Sequence, residues 1–257
     1  MMSSVMSSVL GAIGPVLETL ILVRAWRGNF LKEFKFFYTY LFCVLLRDAS
    51  LLVVYHVFPT WYAYVYWYSQ FLVLLIGCGL IWEIYRIALA HYSGAARIAR
   101  SVLLFLFIIT MSRIIAYTTN NARWLPGQTT LETEREFRVV QSVVLVGLIA
   151  LLAYYAIPIG RNLKGIIVGY GFFLTTSLVQ LTLRDYIGGS FQVSWQYIQP
   201  VTYIIVLLIW CYALWSFEPS PRCASESAIE LDYEVLASAT KRQLKSAGAY
   251  IAKVIRS

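Results

Sequence analysis

Hydrophobic residues are concentrated in seven long segments of this chain, and polar residues separate them. The segments cover 5–24, 36–57, 67–89, 101–120, 138–158, 164–184 and 196–217. A helix of about 20 mostly apolar residues spans the hydrocarbon core of a bilayer and satisfies its own backbone hydrogen bonds there. The pattern predicts an all-α membrane protein, with a seven-transmembrane-helix bundle over residues 1–217 and a tail over 218–257.

The composition supports a multi-pass membrane protein. Hydrophobic residues make up 60% of the 257 residues and charged residues 13%, whereas soluble domains carry about 25% charged residues. The net charge of +8 comes from residues between the apolar segments. A nucleic-acid-binding protein would instead gather such charges on one basic face. We therefore expect no nucleic-acid partner and a location in the cytoplasmic or inner membrane of the cell.

The distribution of Lys and Arg predicts the orientation of the bundle. Fifteen of these residues lie in the tail and in the connections after the first, third and fifth segments. The opposite side carries only Arg123, Arg135, Arg138 and Arg184. Because cytoplasmic loops are enriched in Lys and Arg, the N-terminus is predicted to lie outside and the C-terminus in the cytoplasm. The longest connection, about 121–137, is then predicted to lie outside.

Five ionisable residues stand out inside the predicted spans: Glu18, Arg47, Asp48, Glu83 and Arg113. The first four are predicted to form an intramembrane charge network. Each costs about 2.5–3.5 kcal/mol on insertion scales, so each needs a partner or an aqueous cavity. We predict that Arg47 pairs with Glu18 or Glu83, and that Asp48 faces another neighbour. A structural ion-pair network, a proton or ion pathway and a signalling switch all remain open.

A second polar set lies in the predicted outer half of spans four to seven. Its members follow helical spacings and are Arg113, Tyr117, Gln141, Gln180, Arg184, Gln199 and Tyr203. If these faces converge, they form an outward-facing pocket for a small polar or anionic ligand. Polar contacts between helices are the alternative explanation.

The residues of catalytic and cofactor chemistry are sparse. His56 and His91, the two histidines, are predicted on opposite membrane faces, and the sequence has no nucleotide-binding or nucleophile motif. We therefore expect neither an enzyme nor a cofactor or metal site. Gly165 and Gly169 form a G-x-x-x-G pair, a spacing that favours close approach of two helices.

The tail carries apolar and basic residues at the spacings of a helix. Residues 234–256 place apolar side chains on one helical arc and Lys and Arg on the neighbouring arc. This pattern predicts a basic amphipathic helix lying on anionic lipid. Docking to a protein partner, or partial disorder, is the alternative.

Four stretches carry a resemblance to a known group. They are 61–68 (WYAYVYWY), 83–86 (EIYR), 161–171 (RNLKGIIVGYG) and 209–215 (IWCYALW). The chain resembles a group of uncharacterised bacterial seven-helix membrane proteins, which implies the same topology and no particular activity.

The pattern as a whole favours a receptor-like sensory bundle that signals through a separate cytoplasmic or membrane partner. A small-solute or ion transporter and a non-catalytic subunit of a membrane complex remain alternatives.

Overall fold

The computed structural model describes residues 2–28, 30–90, 101, 104–110, 112, 126–155, 157–187, 189–216 and 238. Side chains are described for 11–28, 31–90, 101, 104–110, 112, 134–155, 157–183, 198–216 and 238.

Long α-helices make up almost all of the described chain. They are α1 (Met2–Arg27), α2 (Lys35–Val57), α3 (Tyr62–Ala88), α4 (Pro126–Tyr154), α5 (Arg161–Ile187) and α6 (Gly189–Ala213). Short 3₁₀ turns at Phe30–Lys32 and Pro59–Trp61 precede α2 and α3, and residues 104–110 are helical. The described residues contain no strand, so the all-α prediction is confirmed for this part of the chain.

Among the described residues, four stretches are long and apolar enough to cross a membrane: Lys35–Val57, Pro59–Ala88, Glu134–Tyr154 and Arg161–Leu183. Large apolar side chains such as Phe42, Val53 and Val146 are more than half exposed on the outside of the bundle. A soluble monomer rarely exposes so much apolar surface, and lipid would cover it. The fold is therefore compatible with a multi-pass membrane protein. The count of seven spans and the orientation of the termini stay predictions, because most of 101–120 lies outside the described residues.

The helices form a closed ring. Each described helix packs against the next one in the chain, α6 returns to α1, and α3 also touches α5. The interior is filled by side chains with almost no exposed surface, among them Phe37, Leu41, Leu80, Ile84, Leu148 and Trp210. This apolar core occupies the half of the bundle in which α2 begins and α3 ends.

Glycines allow α5 to lie directly against α6. A methyl group on Gly165 would overlap the side chain of Ala213, and one on Gly169 would overlap the indole of Trp210. The close approach predicted from the G-x-x-x-G spacing is thus present. Trp210 lies near the end of α6, where tryptophans are often found at a membrane interface, but its ring is fully buried and packs edge-on against Phe37.

Helix α4 begins well before the apolar segment that predicts it. The sequence places a connection over 121–137, whereas the structure is helical from Pro126 onward. Proline is favoured in the first helical position, and hydropathy detects only the apolar part of a helix. The longer helix brings Glu134 and Arg138 onto neighbouring turns of one face. The predicted tail helix at 234–256 lies outside the described residues except for Ser238, so it stays a prediction.

Candidate functional site

A cavity of about 500 Å³ opens inside the helical ring, in the half where α2 ends and α3 begins. All six helices contribute to its wall. Its polar and charged lining consists of Tyr40, Arg47, Asp48, Tyr66, Gln70, Glu134, Arg138, Thr176, Ser177, Gln180, Gln199, Thr202 and Tyr203. This is the half of the bundle that the charge distribution predicts to face outside.

Five of these side chains form a continuous hydrogen-bonded series, which we call the charged chain: Asp48, Arg47, Gln70, Glu134 and Arg138. Arg47 donates from Nε and Nη2 to Asp48 Oδ1 at 2.9 and 2.7 Å, and from Nη1 to Gln70 Oε1 at 2.7 Å. Gln70 Nε2 donates to Glu134 Oε1 at 2.8 Å, and Arg138 Nη2 donates to the same oxygen at 3.2 Å. The charged chain therefore links α2, α3 and α4 across one wall of the cavity.

Arg138 ends the charged chain in aromatic surroundings. Its guanidinium lies 4.5 Å from the centre of the Phe173 ring and is close to the Tyr40 side chain. The Tyr40 ring in turn packs edge-on against Tyr170 at 5.8 Å between ring centres. The Arg138 side chain is almost completely buried, and its Nε has no hydrogen-bond partner. One donor of a buried cation is thus free beside the cavity.

Glu18 lies behind the cavity wall. The Tyr203 hydroxyl, which lines the cavity, donates to Glu18 Oε1 at 2.5 Å. The Glu18 side chain is fully buried, and its second carboxylate oxygen has no hydrogen-bond partner. Glu18 therefore bonds across α1 and α6 to a tyrosine.

The predicted pairing of Arg47 with Glu18 or Glu83 is wrong in this structure, and so is the prediction that Asp48 faces another neighbour. Arg47 donates to Asp48 and Gln70. A short aspartate next to a long, flexible arginine is within its reach despite the 100° between successive helical positions. Glu18 already accepts from Tyr203.

Glu83 lies too far along the bundle to reach the charged chain. Its Oε2 accepts a hydrogen bond from the Phe37 backbone N–H at 3.0 Å. Phe37 and Arg47 are ten residues apart in α2, which corresponds to about 15 Å of helix. Glu83 instead lies 3.6 Å from Arg86 Nη2. Of the four intramembrane residues predicted as one network, the structure joins Arg47 and Asp48 directly and separates Glu83.

Three residues of the predicted outer polar set reach the cavity: Gln180, Gln199 and Tyr203. Gln141 does not line it. Gln141 Nε2 donates to the Leu74 carbonyl at 3.2 Å and contacts Cys78 Sγ at 3.5 Å, while its Oε1 accepts from the Tyr170 hydroxyl at 3.3 Å. This residue joins α3, α4 and α5, so here the helix-contact explanation is the correct one.

The remaining members of the set are not described at the side-chain level. Arg184 belongs to α5, but its side chain lies outside the described residues. Arg113 and Tyr117 lie outside them entirely.

Three residues of the charged chain are not among the site residues predicted from the sequence: Gln70, Glu134 and Arg138. Glu134 falls in the segment predicted as a connection, and Gln70 is a single amide in an apolar helix. A signal for Glu134 is present in its i,i+4 spacing to Arg138, which favours an ion pair on one helical face. No pattern in the sequence indicates that Gln70 bridges two ion pairs.

Comparison with known protein families, curated proteins and solved structures finds no match to this chain. The fold and the cavity are therefore the grounds for a functional proposal.

Proposed function

We propose that this protein is a membrane receptor or sensor that binds a small polar molecule in the cavity and signals through a separate partner. One observation carries the proposal: a cavity of about 500 Å³ is lined by Arg47, Asp48, Glu134 and Arg138 within a bundle whose core is mostly apolar. Ionisable residues at membrane depth are costly and mark functional sites by default.

The size and position of the cavity suit this role. Pockets for small molecules measure about 300–1,000 Å³. Because six helices contribute to the wall, a ligand that contacts several of them favours one helix arrangement over another. Such differential binding is the basis of a ligand-driven conformational change.

The other half of the bundle supports sensing over transport. On the far side of Tyr40 the described interior is mostly apolar, with Phe37, Leu41, Leu80 and Trp210 almost completely buried. The buried polar side chains there, Glu83, Gln141 and Asn162, form hydrogen bonds with backbone groups of neighbouring helices. At the far end, Asn162 Nδ2 donates to the carbonyls of Ala213 and Ser216 at 2.8 and 2.7 Å and so ties the end of α6 to α5. A receptor needs only the cavity, whereas transport needs a second access path.

One observation favours a proton-coupled transporter as the second candidate. Glu18 is a fully buried carboxyl with an oxygen that has no hydrogen-bond partner, and it contacts the cavity wall through Tyr203. Carboxyl groups in such positions serve as proton carriers in membrane transporters.

Water access to the cavity tests the proposal. In a variant with Cys43, Cys78, Cys211 and Cys223 replaced by serine, single cysteines are placed at Gln180 and Val179. Gln180 lines the cavity, whereas the neighbouring Val179 is half exposed on the apolar outside of the bundle. An impermeant thiol reagent added to intact cells is expected to label Gln180→Cys and to leave Val179→Cys unlabelled.

The same labelling separates the candidates. Protection of Gln180→Cys from outside would rule out an outward-facing binding cavity. If Gln180→Cys is labelled from the outside and not from the inside, the result supports a receptor. Labelling from either side of inverted and right-side-out vesicles, in proportions that change with pH, would favour the transporter.

A further inference from the structure

The two ends of the charged chain differ in sign and in burial. Asp48 ends it on α2 with a carboxylate whose side chain is 35% exposed, and only Oδ1 receives the hydrogen bonds of Arg47. Arg138 ends it on α4 with a guanidinium whose side chain is 6% exposed and whose Nε has no partner. An anionic group is thus accessible at one end and an unpaired cationic donor at the other.

These ends also lie at different depths. Arg138 and Tyr40 line the cavity close to each other, and Tyr40 precedes Asp48 by eight residues in α2. Eight residues correspond to about 12 Å along the helix axis. Because Tyr40 lies nearer the apolar core, Arg138 is at the inner end of the cavity and Asp48 is towards its opening.

The wall between the two ends contains apolar surface. Val44, Val73 and Phe173 line the cavity together with the aromatic ring of Tyr66. Such a lining accommodates a methylene chain or a ring between two polar groups of a ligand.

The charges of the charged chain add up to zero, since two carboxylates accompany two guanidinium groups. A ligand with one net charge would bring an uncompensated charge into an apolar bundle, which is costly. A ligand that carries both signs would keep the cavity neutral.

From these observations, and on the basis of the proposed function, we infer that the ligand is an elongated zwitterion. Its oxyanion end binds Arg138 at the inner end of the cavity, and its amine end binds Asp48 near the opening. Of the small polar or anionic ligand expected from the sequence, this assignment favours the polar alternative, because Asp48 and Glu134 balance the arginines.

Thermal unfolding of the purified full-length protein in lipid nanodiscs tests the inference. The probes are 6-aminohexanoate, hexanoate, hexylamine and glycine, each at the same concentration and ionic strength. Ligands that bind only the folded state raise its melting temperature. At a concentration about ten times the Kd, 6-aminohexanoate is expected to raise the Tm by about 3 °C. The two singly charged probes and glycine, whose charges are too close together, are expected to give at most a third of that shift.

Variants of Asp48 test whether the preference for 6-aminohexanoate over hexanoate depends on the proposed contact with Asp48. Asp48→Asn is expected to abolish the advantage of 6-aminohexanoate over hexanoate, and Asp48→Glu is expected to retain it. Ser50→Ala serves as the control on the same helix, because the Ser50 hydroxyl bonds only to the Leu46 carbonyl of its own helix. That control is expected to bind as the unmodified protein does.

The inference is overturned if hexanoate, hexylamine or glycine stabilises the protein as much as 6-aminohexanoate, or if none of the four probes does. It is also overturned if Asp48→Asn keeps the full preference. If Gln180→Cys is labelled from outside, any of these results refutes the inference of a zwitterionic ligand and leaves the receptor proposal in place. Protection of Gln180→Cys removes the receptor proposal itself.

Discussion

Replacing Glu83 by alanine is expected to destabilise the protein by removing the cap of α2. The first helical N–H groups have no partner within a helix, and the N-cap residue Phe34 offers no side-chain hydrogen bond. Glu83, on α3, supplies the missing acceptor. Its carboxylate accepts from Phe37 N–H at 3.0 Å and lies near the N–H groups of Phe36 and Lys35.

The magnitude follows from the burial of Glu83 and from the negative charge of the acceptor. The Glu83 side chain is 1% exposed, so in Glu83→Ala water does not take the place of the carboxylate at the N-terminal end of α2. Loss of a capping side chain costs about 0.5–2 kcal/mol, and a hydrogen bond to a charged group contributes about 1.5–3 kcal/mol. We expect Glu83→Ala to lower the free energy of unfolding by about 2–4 kcal/mol. Glu83→Gln, which keeps one acceptor oxygen, is expected to lose about half as much.

Equilibrium unfolding in mixed micelles, followed by far-UV circular dichroism, measures the effect. Glu33→Ala is the matched control, since Glu33 is exposed beside the same helix end and carries the same charge. A surface change of this kind is expected to stay within about 0.5 kcal/mol. Arg86→Ala tests the ion pair: at 3.6 Å and with Arg86 half exposed, it is expected to cost less than about 1 kcal/mol.

Two results would refute the reasoning. If Glu83→Ala unfolds with the same free energy as Glu33→Ala, the carboxylate does not stabilise the start of α2. If Arg86→Ala costs as much as Glu83→Ala, the ion pair and not the cap is the stabilising interaction.

The remaining predictions concern packing, charge and topology. Gly169→Ala is expected to cost about 1–3 kcal/mol of unfolding free energy through overpacking; Gly147→Ala, where the added methyl lies 3.8 Å from its nearest neighbour, is expected to be neutral or slightly stabilising. Arg47→Leu is expected to cost about 1–3 kcal/mol because it leaves the partly exposed carboxylate of Asp48 without its partner. The double variant Arg47→Leu/Asp48→Leu should recover part of that loss, and a double variant no more stable than Arg47→Leu would contradict the pairing. A C-terminal alkaline phosphatase fusion is expected to be inactive and a fluorescent-protein fusion to be bright if the C-terminus is cytoplasmic; the opposite result would reverse the predicted orientation.

The helices and their approximate positions could be predicted from the sequence because a bilayer imposes a length and an apolar composition on any segment that crosses it. Helix α2, observed over Lys35–Val57, matches the apolar segment 36–57 almost residue for residue. The start of α4 could not be predicted in this way, since its first turns are polar and lie beyond the apolar run. Close packing at Gly165 and Gly169 was readable from spacing alone, but the partners Ala213 and Trp210 were not.

The sequence by itself determined which residues must be paired, because a charge in an apolar bundle is costly wherever it lies. Only the tertiary structure decided the partners. The rotation of each helix about its axis and the choice of neighbouring helices place Gln70 between Arg47 and Glu134, and Tyr203 against Glu18. The same two variables turn Gln141 towards Tyr170, whereas Glu83 is separated from the charged chain by its distance along the bundle. Helix rotation and the choice of neighbouring helices are set by the packing of many apolar side chains in the core, and no single polar residue determines them.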